Sequence, residues 1–221
     1  MLTLRRWHQQ NIKLTILPPP HLFHHMTLCF ASDNAHKLHE IRPLLPAGLT
    51  LLSLADIGCT EELPETQPTL EGNALQKATY VWEHFGVACF ADDTGLEVDA
   101  LYGEPGVYSA RYAGPQRLAG DNVAKLLQEL AGSTNRTACF RTVVALVGLQ
   151  PDAELFEGAV AGHIAQAPSG QGGFGYDPVF VPDEGDGRTF AAMELAEKNQ
   201  LSHRARAVAS LVARLAIHGE N

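Results

Sequence analysis

FADDTGLEVDALYGEPGVYSARYAG, residues 90–114, is the stretch on which the reading of this chain turns. Val87-Ala88-Cys89 precedes it, so an apolar run leads straight into two adjacent carboxylates, Asp92 and Asp93, and then Thr94-Gly95. A short apolar run bounded by a turn signal reads as a buried strand, here residues 87–91. A strand ending in a carboxylate pair at a Gly turn sets hard oxygen ligands at the edge of a sheet. Mg²⁺ suits such a place, because it keeps several waters and takes one or two protein carboxylates beside substrate phosphates. Neighbouring side chains on an extended strand point to opposite faces. One of the two aspartates is therefore expected to ligate and the other to support it.

Strands and helices alternate irregularly around this stretch. Residues 27–31 read as a first strand, followed by a helix with Leu38, Ile41, Leu44 and Leu45 on one face, then a second strand at 49–54. A long helix is expected over 71–85, stopped by Gly86. A shorter helix follows at 121–130, a strand pair at 138–147 and 154–164, and a final amphipathic helix over 202–217. The hairpin-like pair argues for a mixed α/β sheet, not a uniformly parallel one.

Bulk properties exclude several classes. The 221 residues are 45% hydrophobic and 19% charged, which fits one soluble domain with room for a large core. A net charge of −9 argues against a surface that coats nucleic acid, though not against a nucleotide substrate. No run reaches the length of a membrane span. Cys29, Cys89 and Cys139 sit in apolar strand-like runs, and no C-x-x-C spacing occurs, so the cysteines read as buried reduced thiols in a reducing, cytoplasmic setting. Residues 1–25 differ in composition, with Arg5, Arg6, three prolines at 18–20 and a polar His cluster at His21, His24 and His25. They read as an N-terminal extension, disordered or a mis-assigned start, with the domain proper at 26–221.

Further motifs carry chemistry. Ser32-Asp33-Asn34-Ala35-His36-Lys37 is a turn between a strand and a helix, where free N–H groups and a Lys charge can meet an anion. Phe174-Gly175-Tyr176-Asp177 puts two aromatics in a Gly-rich loop that a purine could stack on, with Asp177 placed to accept from base or ribose. Lys198, Ser202, His203 and Arg204 converge donors near the start of the last helix. Lys77, four residues after Asn73, either reaches phosphates or lies on a solvated helix face. Arg111 reads as a structural or dimer-contact residue.

Taken in order, ASDNAHKLHEI (31–41), PETQPTLEGNALQKA (64–78), the 90–114 stretch, GGFGYDPVFVP (172–182) and EKNQLSHRARAV (197–208) resemble the motif blocks of the inosine/xanthosine triphosphate pyrophosphatase family. The resemblance implies an elongated mixed sheet forked into two lobes, with flanking helices and an active site in the cleft between the lobes. It implies Mg²⁺-dependent hydrolysis of ITP, dITP and XTP to the monophosphate and pyrophosphate, cleansing the nucleotide pool. Asp93 is implied as catalytic base and metal ligand, with Glu65 as second ligand. Ser32 to Lys37, Thr94, Phe174 to Asp177, Lys198, His203 and Arg204 are implied as substrate contacts, and a homodimer as the assembly. Two departures stand out. His36 replaces the usual Gly before Lys37, and Pro64-Glu65-Thr66-Gln67 lacks the family's second Glu and its Gly. Two alternatives are a related pyrophosphatase of other specificity, such as the septum-associated type, and a non-catalytic nucleotide-binding module.

Overall fold

The computed structural model describes residues 26–219. The extension read at 1–25 lies outside the described residues. A single mixed sheet of seven strands forms the frame. The strands are β1 (Thr27–Phe30), β2 (Thr50–Leu52), β3 (Cys89–Val98), β4 (Pro105–Gly106), β5 (Thr137–Val147), β6 (Glu154–Ile164) and β7 (Phe180–Pro182). Five helices flank it: α1 (Ala35–Ile41), α2 (Leu70–Phe85), α3 (Ala119–Glu129), α4 (Leu195–Leu201) and α5 (His203–Gly219). The order is β2-β1-β3-β5-β6-β7, with β4 paired to β3. β1, β2 and β3 run parallel, and the remaining neighbours pair antiparallel.

The expected mixed α/β sheet is present, but β3 differs from its reading in a way that positions the site. The strand does not end at Ala91. It continues to Val98 and pairs with β5 along all ten residues, from Cys89 opposite Val147 to Val98 opposite Ala138. Asp92 and Asp93 are therefore mid-strand, and Thr94-Gly95 is not a turn. Glycine at 95 answers a different need. A Cβ there would lie 2.7 Å from the Gly106 carbonyl oxygen, so only glycine lets β4 approach.

The other edge of β3 creates the fork. Its first half pairs with β1 through Cys29–Cys89 and Phe30–Phe90, and its second half pairs with β4 at Leu96 and Glu97. Between them, neither strand covers residues 92–95. A bare backbone edge must find other partners, and side chains supply them. The Asp92 carbonyl accepts from Lys77 Nζ at 2.9 Å and from Lys37 Nζ at 3.4 Å. The cleft opens over this gap.

The two faces of the sheet are sealed by different helices. α2 packs Leu70, Ala74, Ala78 and Val81 on Cys29, Ala31, Cys89, Ala91, Val143 and Ala145. Its start is capped by Thr69 Oγ1, which accepts from the Gly72 amide at 3.0 Å. α5 packs Ala207, Val208, Leu211 and Leu215 on Phe30, Phe90, Val144 and Leu146. A third cluster fills the far lobe, joining α3 to Leu96, Phe140, Val160, Phe180 and Phe190. α4 was not foreseen. Ser202 separates it from α5, extended at φ −68°, ψ 150°, with its Oγ accepting from the Ala205 amide at 3.2 Å.

Cys29, Cys59, Cys89 and Cys139 are free, as expected. Burial raises the thiols of Cys29 and Cys139 to about 11 and that of Cys89 to about 12, which keeps them protonated and unreactive at neutral pH.

Candidate active site

A cleft of about 450 Å³ lies between the lobes. Glu65, Asp93 and every expected substrate contact except Ala35 line it. The elements that bring these residues together are the β1–α1 turn, the uncovered middle of β3, the N-terminal half of α2, the loop before β7, and the α4–α5 junction.

Because β3 stays extended, Asp92 and Asp93 do face opposite ways. Asp92 turns toward α5. It is fully buried and binds Lys37 Nζ at 2.9 Å and Arg204 Nε at 3.2 Å. Burial alone would raise its carboxyl, yet the Lys37 and Arg204 charges hold it well below the usual carboxylate range. Asp93 turns toward α2. It accepts from Asn73 Nδ2 at 3.2 Å, and Lys77 Nζ stands 3.5 Å away. Here burial prevails over the Lys77 and Lys37 charges, and Asp93 is held above the usual range. Lys77 is not on a solvated face. It is 5% exposed and binds Glu65 at 2.6 Å, so one ammonium sits between Glu65 and Asp93. Burial works against its charge, but the facing carboxylates keep its pKa raised.

The α4–α5 junction carries the second half of the network. Lys198 Nζ lies 2.5 Å from both Glu40 Oε1 and Asp177 Oδ2. Arg204 reaches Glu40 with Nη1, Asp92 with Nε and Thr94 Oγ1 with Nη2, the last at 3.1 Å. Glu40 is 4% exposed and ties Lys198 to Arg204. Burial would raise it too, and the two cations bring it below the usual range. Glu40 had no assigned role in the sequence reading. Its one signal was the Glu that closes the 31–41 motif, three residues after Lys37.

Several expected contacts are already committed within the protein. Asn34 Oδ1 accepts from the His36 and Lys37 amides at 3.0 and 3.1 Å, and Ser32 Oγ accepts from the Asn34 amide at 3.2 Å. The turn thus caps its own N–H groups, and an anion meets mainly the side chains. Tyr176 is buried, and its hydroxyl donates to the Ser109 carbonyl at 2.9 Å, so its ring belongs to the core. Phe174 is the partly exposed ring of the loop. Asp177 is buried too, and its Oδ2 accepts from the Phe174 amide at 2.8 Å as well as from Lys198. It holds the loop in shape. Gly173, at φ 65°, makes room, since a Cβ there would fall 2.0 Å from Asp177 Oδ2.

His36 stacks on Phe174, ring centroids 5.3 Å apart at 15°. His203 is 2% exposed, bonds Thr142 Oγ1 through Nδ1 at 2.7 Å and stacks on Phe140 at 4.6 Å. Burial and the Arg204 charge hold its pKa well below 6.5, so it is neutral. Thr94 and Thr142 share a 2.7 Å hydrogen bond that joins His203 to the Arg204 network. Arg111 lines the cleft with its guanidinium 5.2 Å above the Tyr108 ring.

In sum of charge, Lys37, Lys77, Lys198 and Arg204 face Glu40, Glu65, Asp92, Asp93 and Asp177, four cations against five carboxylates. The formal balance is −1. Such a site can orient a polar ligand strongly, but a polyanion needs added positive charge to enter it.

The comparisons agree with this architecture. The family model described as the Ham1 family matches residues 28–214. A dITP/XTP pyrophosphatase of Flavobacterium johnsoniae is 52% identical over 187 residues, covering 85% of this chain and 96% of that protein. One from Porphyromonas gingivalis is 54% identical over 185 residues, covering 83% and 94%. Among solved structures, the Staphylococcus aureus Ham1 protein superposes with a TM-score of 0.79 at 35% identity, covering 88% of this chain and all of that one. The nucleoside-triphosphatase / dITP/XTP pyrophosphatase of Mycobacterium abscessus gives 0.69 at 45% identity, covering 84% and 98%. Matched over nearly its whole described length, with its site at the fork of the same sheet, the chain belongs to the Ham1 family.

Proposed function

We propose that this protein is a nucleoside triphosphate pyrophosphatase. It hydrolyses deaminated purine nucleoside triphosphates, ITP, dITP and XTP, to the monophosphate and pyrophosphate. The observation that carries the reading is the convergence of Asp93, the Lys77 and Lys198 ammonium groups and the partly exposed Phe174 ring on one cleft of a Ham1-family fold. The relatives named dITP/XTP pyrophosphatase support it.

The donor set fits Mg²⁺. Glu65 and Asp93 already share one cation, the Lys77 ammonium, and two carboxylates are what Mg²⁺ takes from a protein when phosphates complete its shell. A triphosphate brought among these five carboxylates and four cations also needs a companion cation. Asp93 and Glu65 would hold the ion, and it would supply neutralisation of the phosphate oxygens when bound. Asp93, held above the usual carboxylate range by burial, is placed to accept a proton from the attacking water. Lys37 and Lys77, beside the Asp92 carbonyl, orient the phosphates on the uncovered edge of β3. Positioning and electrostatics of this kind do most of the work in phosphoryl chemistry. Phe174 offers the base its ring, and Arg204 and Lys198, each 5.4 Å from that ring's centroid, put donors beside it. A purine with oxygen at C6 accepts there, whereas adenine presents an amino donor.

The same reading makes the protein a homodimer that acts on the cytoplasmic nucleotide pool without binding nucleic acid. Among the described residues no helix is long and apolar enough to cross a membrane. The test is a phosphate-release assay coupled to inorganic pyrophosphatase, run with and without Mg²⁺ on ITP, XTP, dUTP, TTP and ATP. Pyrophosphate release from ITP and XTP that requires Mg²⁺ is expected. Release from dUTP or TTP instead would favour the septum-associated type, and none at all would leave a binding module.

A further inference from the structure

The buried cations of the cleft are each bound to a buried carboxylate. Each can meet a substrate oxygen only while keeping its carboxylate, since drawing it away altogether would strand an acid out of water. Among the described residues two cleft arginines are held differently: Arg111 lies over the Tyr108 ring, and Arg117 has a single exposed carboxylate partner. Arg117 precedes α3 on the far lobe, and its Nη1 lies 3.1 Å from Oε1 of Glu62, in the segment between β2 and α2 on the near lobe. Both line the cleft, and their side chains are 48% and 72% exposed. Losing Arg117 leaves Glu62 fully able to be hydrated, so the exchange of partners is easy. The backbone adds a second sign. Arg117 sits at φ 55°, in the left-handed region that a residue with a side chain avoids. Such strain recurs at ligand clamps.

We propose that Arg117 is a positioning residue for the terminal phosphates, parked on Glu62 at the mouth of the cleft until the triphosphate takes it over. The proposal rests on the nucleoside triphosphate reading above. A single exposed carboxylate holds an arginine weakly. A triphosphate offers several charges and pairs of oxygens that match the guanidinium fork. The transfer moves one positive charge toward the substrate.

Steady-state kinetics on ITP with Mg²⁺ test this through opposite signs. Arg117→Gln should raise KM about 3- to 5-fold with kcat nearly unchanged, the size of one exposed charge contact. Glu62→Gln should lower KM, because it frees Arg117. In the Arg117→Gln background the Glu62→Gln gain should vanish. An unchanged KM in Arg117→Gln overturns the proposal, and so does a Glu62→Gln gain that survives without Arg117, which would be the general field of a lost carboxylate. Calorimetric titration of inorganic pyrophosphate reads the same contact without turnover. Weaker binding to Arg117→Gln than to the wild-type protein upholds it even if ITP proves not to be the substrate, and equal binding overturns it.

Discussion

Glu40→Gln should be among the most damaging single-atom-scale changes in the protein. The side chain is 4% exposed, and its two oxygens bind Lys198 at 2.5 Å and Arg204. Glutamine keeps the shape, but it removes the charge and turns an NH₂ toward one of two cations. Of its carboxylate partners Lys198 then keeps Asp177 alone, and Arg204 keeps Asp92 alone, which it shares with Lys37. Breaking a buried ion pair by removing one partner costs about 3–5 kcal/mol, because the other charge stays behind without its counter-ion. With a urea m-value of about 2–3 kcal/mol/M for a domain of this size, the midpoint should fall by about 1–2 M. Tryptophan fluorescence and far-UV circular dichroism across a urea series would read it. A Glu40→Gln midpoint within about 0.3 M of wild type would refute the reasoning, since it would mean that the cations are solvated.

Three further outcomes are expected. ITP and XTP should exceed ATP in kcat/KM by at least about 100-fold, because donors aimed at a C6 oxygen are left facing a donor by adenine; comparable values would move base selection elsewhere. His203 stays neutral in the fold, while the unfolded chain takes up its proton below about pH 6.5, so wild-type stability is full above that pH and declines below it. Against His203→Gln, which has no such proton, the stability margin should shrink as pH falls from 7 to 5, and parallel urea midpoints would contradict this. Finally, Asp93→Asn should abolish turnover with little change in melting temperature, whereas Asp92→Asn should lower the melting temperature markedly; a reversed pattern would exchange their roles.

Much of this was legible in the chain, and the failures share one cause. The helix over residues 70–85, the strand pair of β5 and β6, and the motif blocks that line the cleft all carry local signals: apolar periodicity, a Thr cap, a Gly stop, a cluster of Gly and aromatics. What escaped is what distant partners decide. Thr94-Gly95 reads as a turn from its own residues, and becomes strand because β5 pairs beyond it and β4 approaches at Gly106. Glu40 has no assigned role in the sequence, and becomes buried because Lys198 and Arg204 arrive from 158 and 164 positions away. Lys77 could not be told from a solvated lysine for the same reason. Tyr176 and Phe174 are two residues apart in one loop, yet only the tertiary fold sends one into the core and leaves the other at the cleft. α4 is the exception and escaped for a local reason, since its Glu194–Glu197 capping box has Glu where a sequence signature has Ser, Thr, Asp or Asn.

The aspartate pair shows how one fold gives the same side chain two opposite characters. The alternation of β3 sends Asp92 to the α5 side and Asp93 to the α2 side, one peptide apart. Asp92 loses all contact with water but gains Lys37 and a share of Arg204, so its charged form is favoured and its removal takes a counter-ion from two cations. Asp93 keeps 8% exposure at the cleft and must share Lys77 with Glu65, whose negative charge adds to the effect of burial. Its charged form is the under-compensated one. A carboxylate short of positive charge, open to the cleft and beside a second carboxylate, gains most from an arriving cation and from an arriving proton. Asp92 gains nothing from either. On the proposed function, the chemistry would fall to the aspartate that the fold stabilises less, and the structure to the one that it stabilises more.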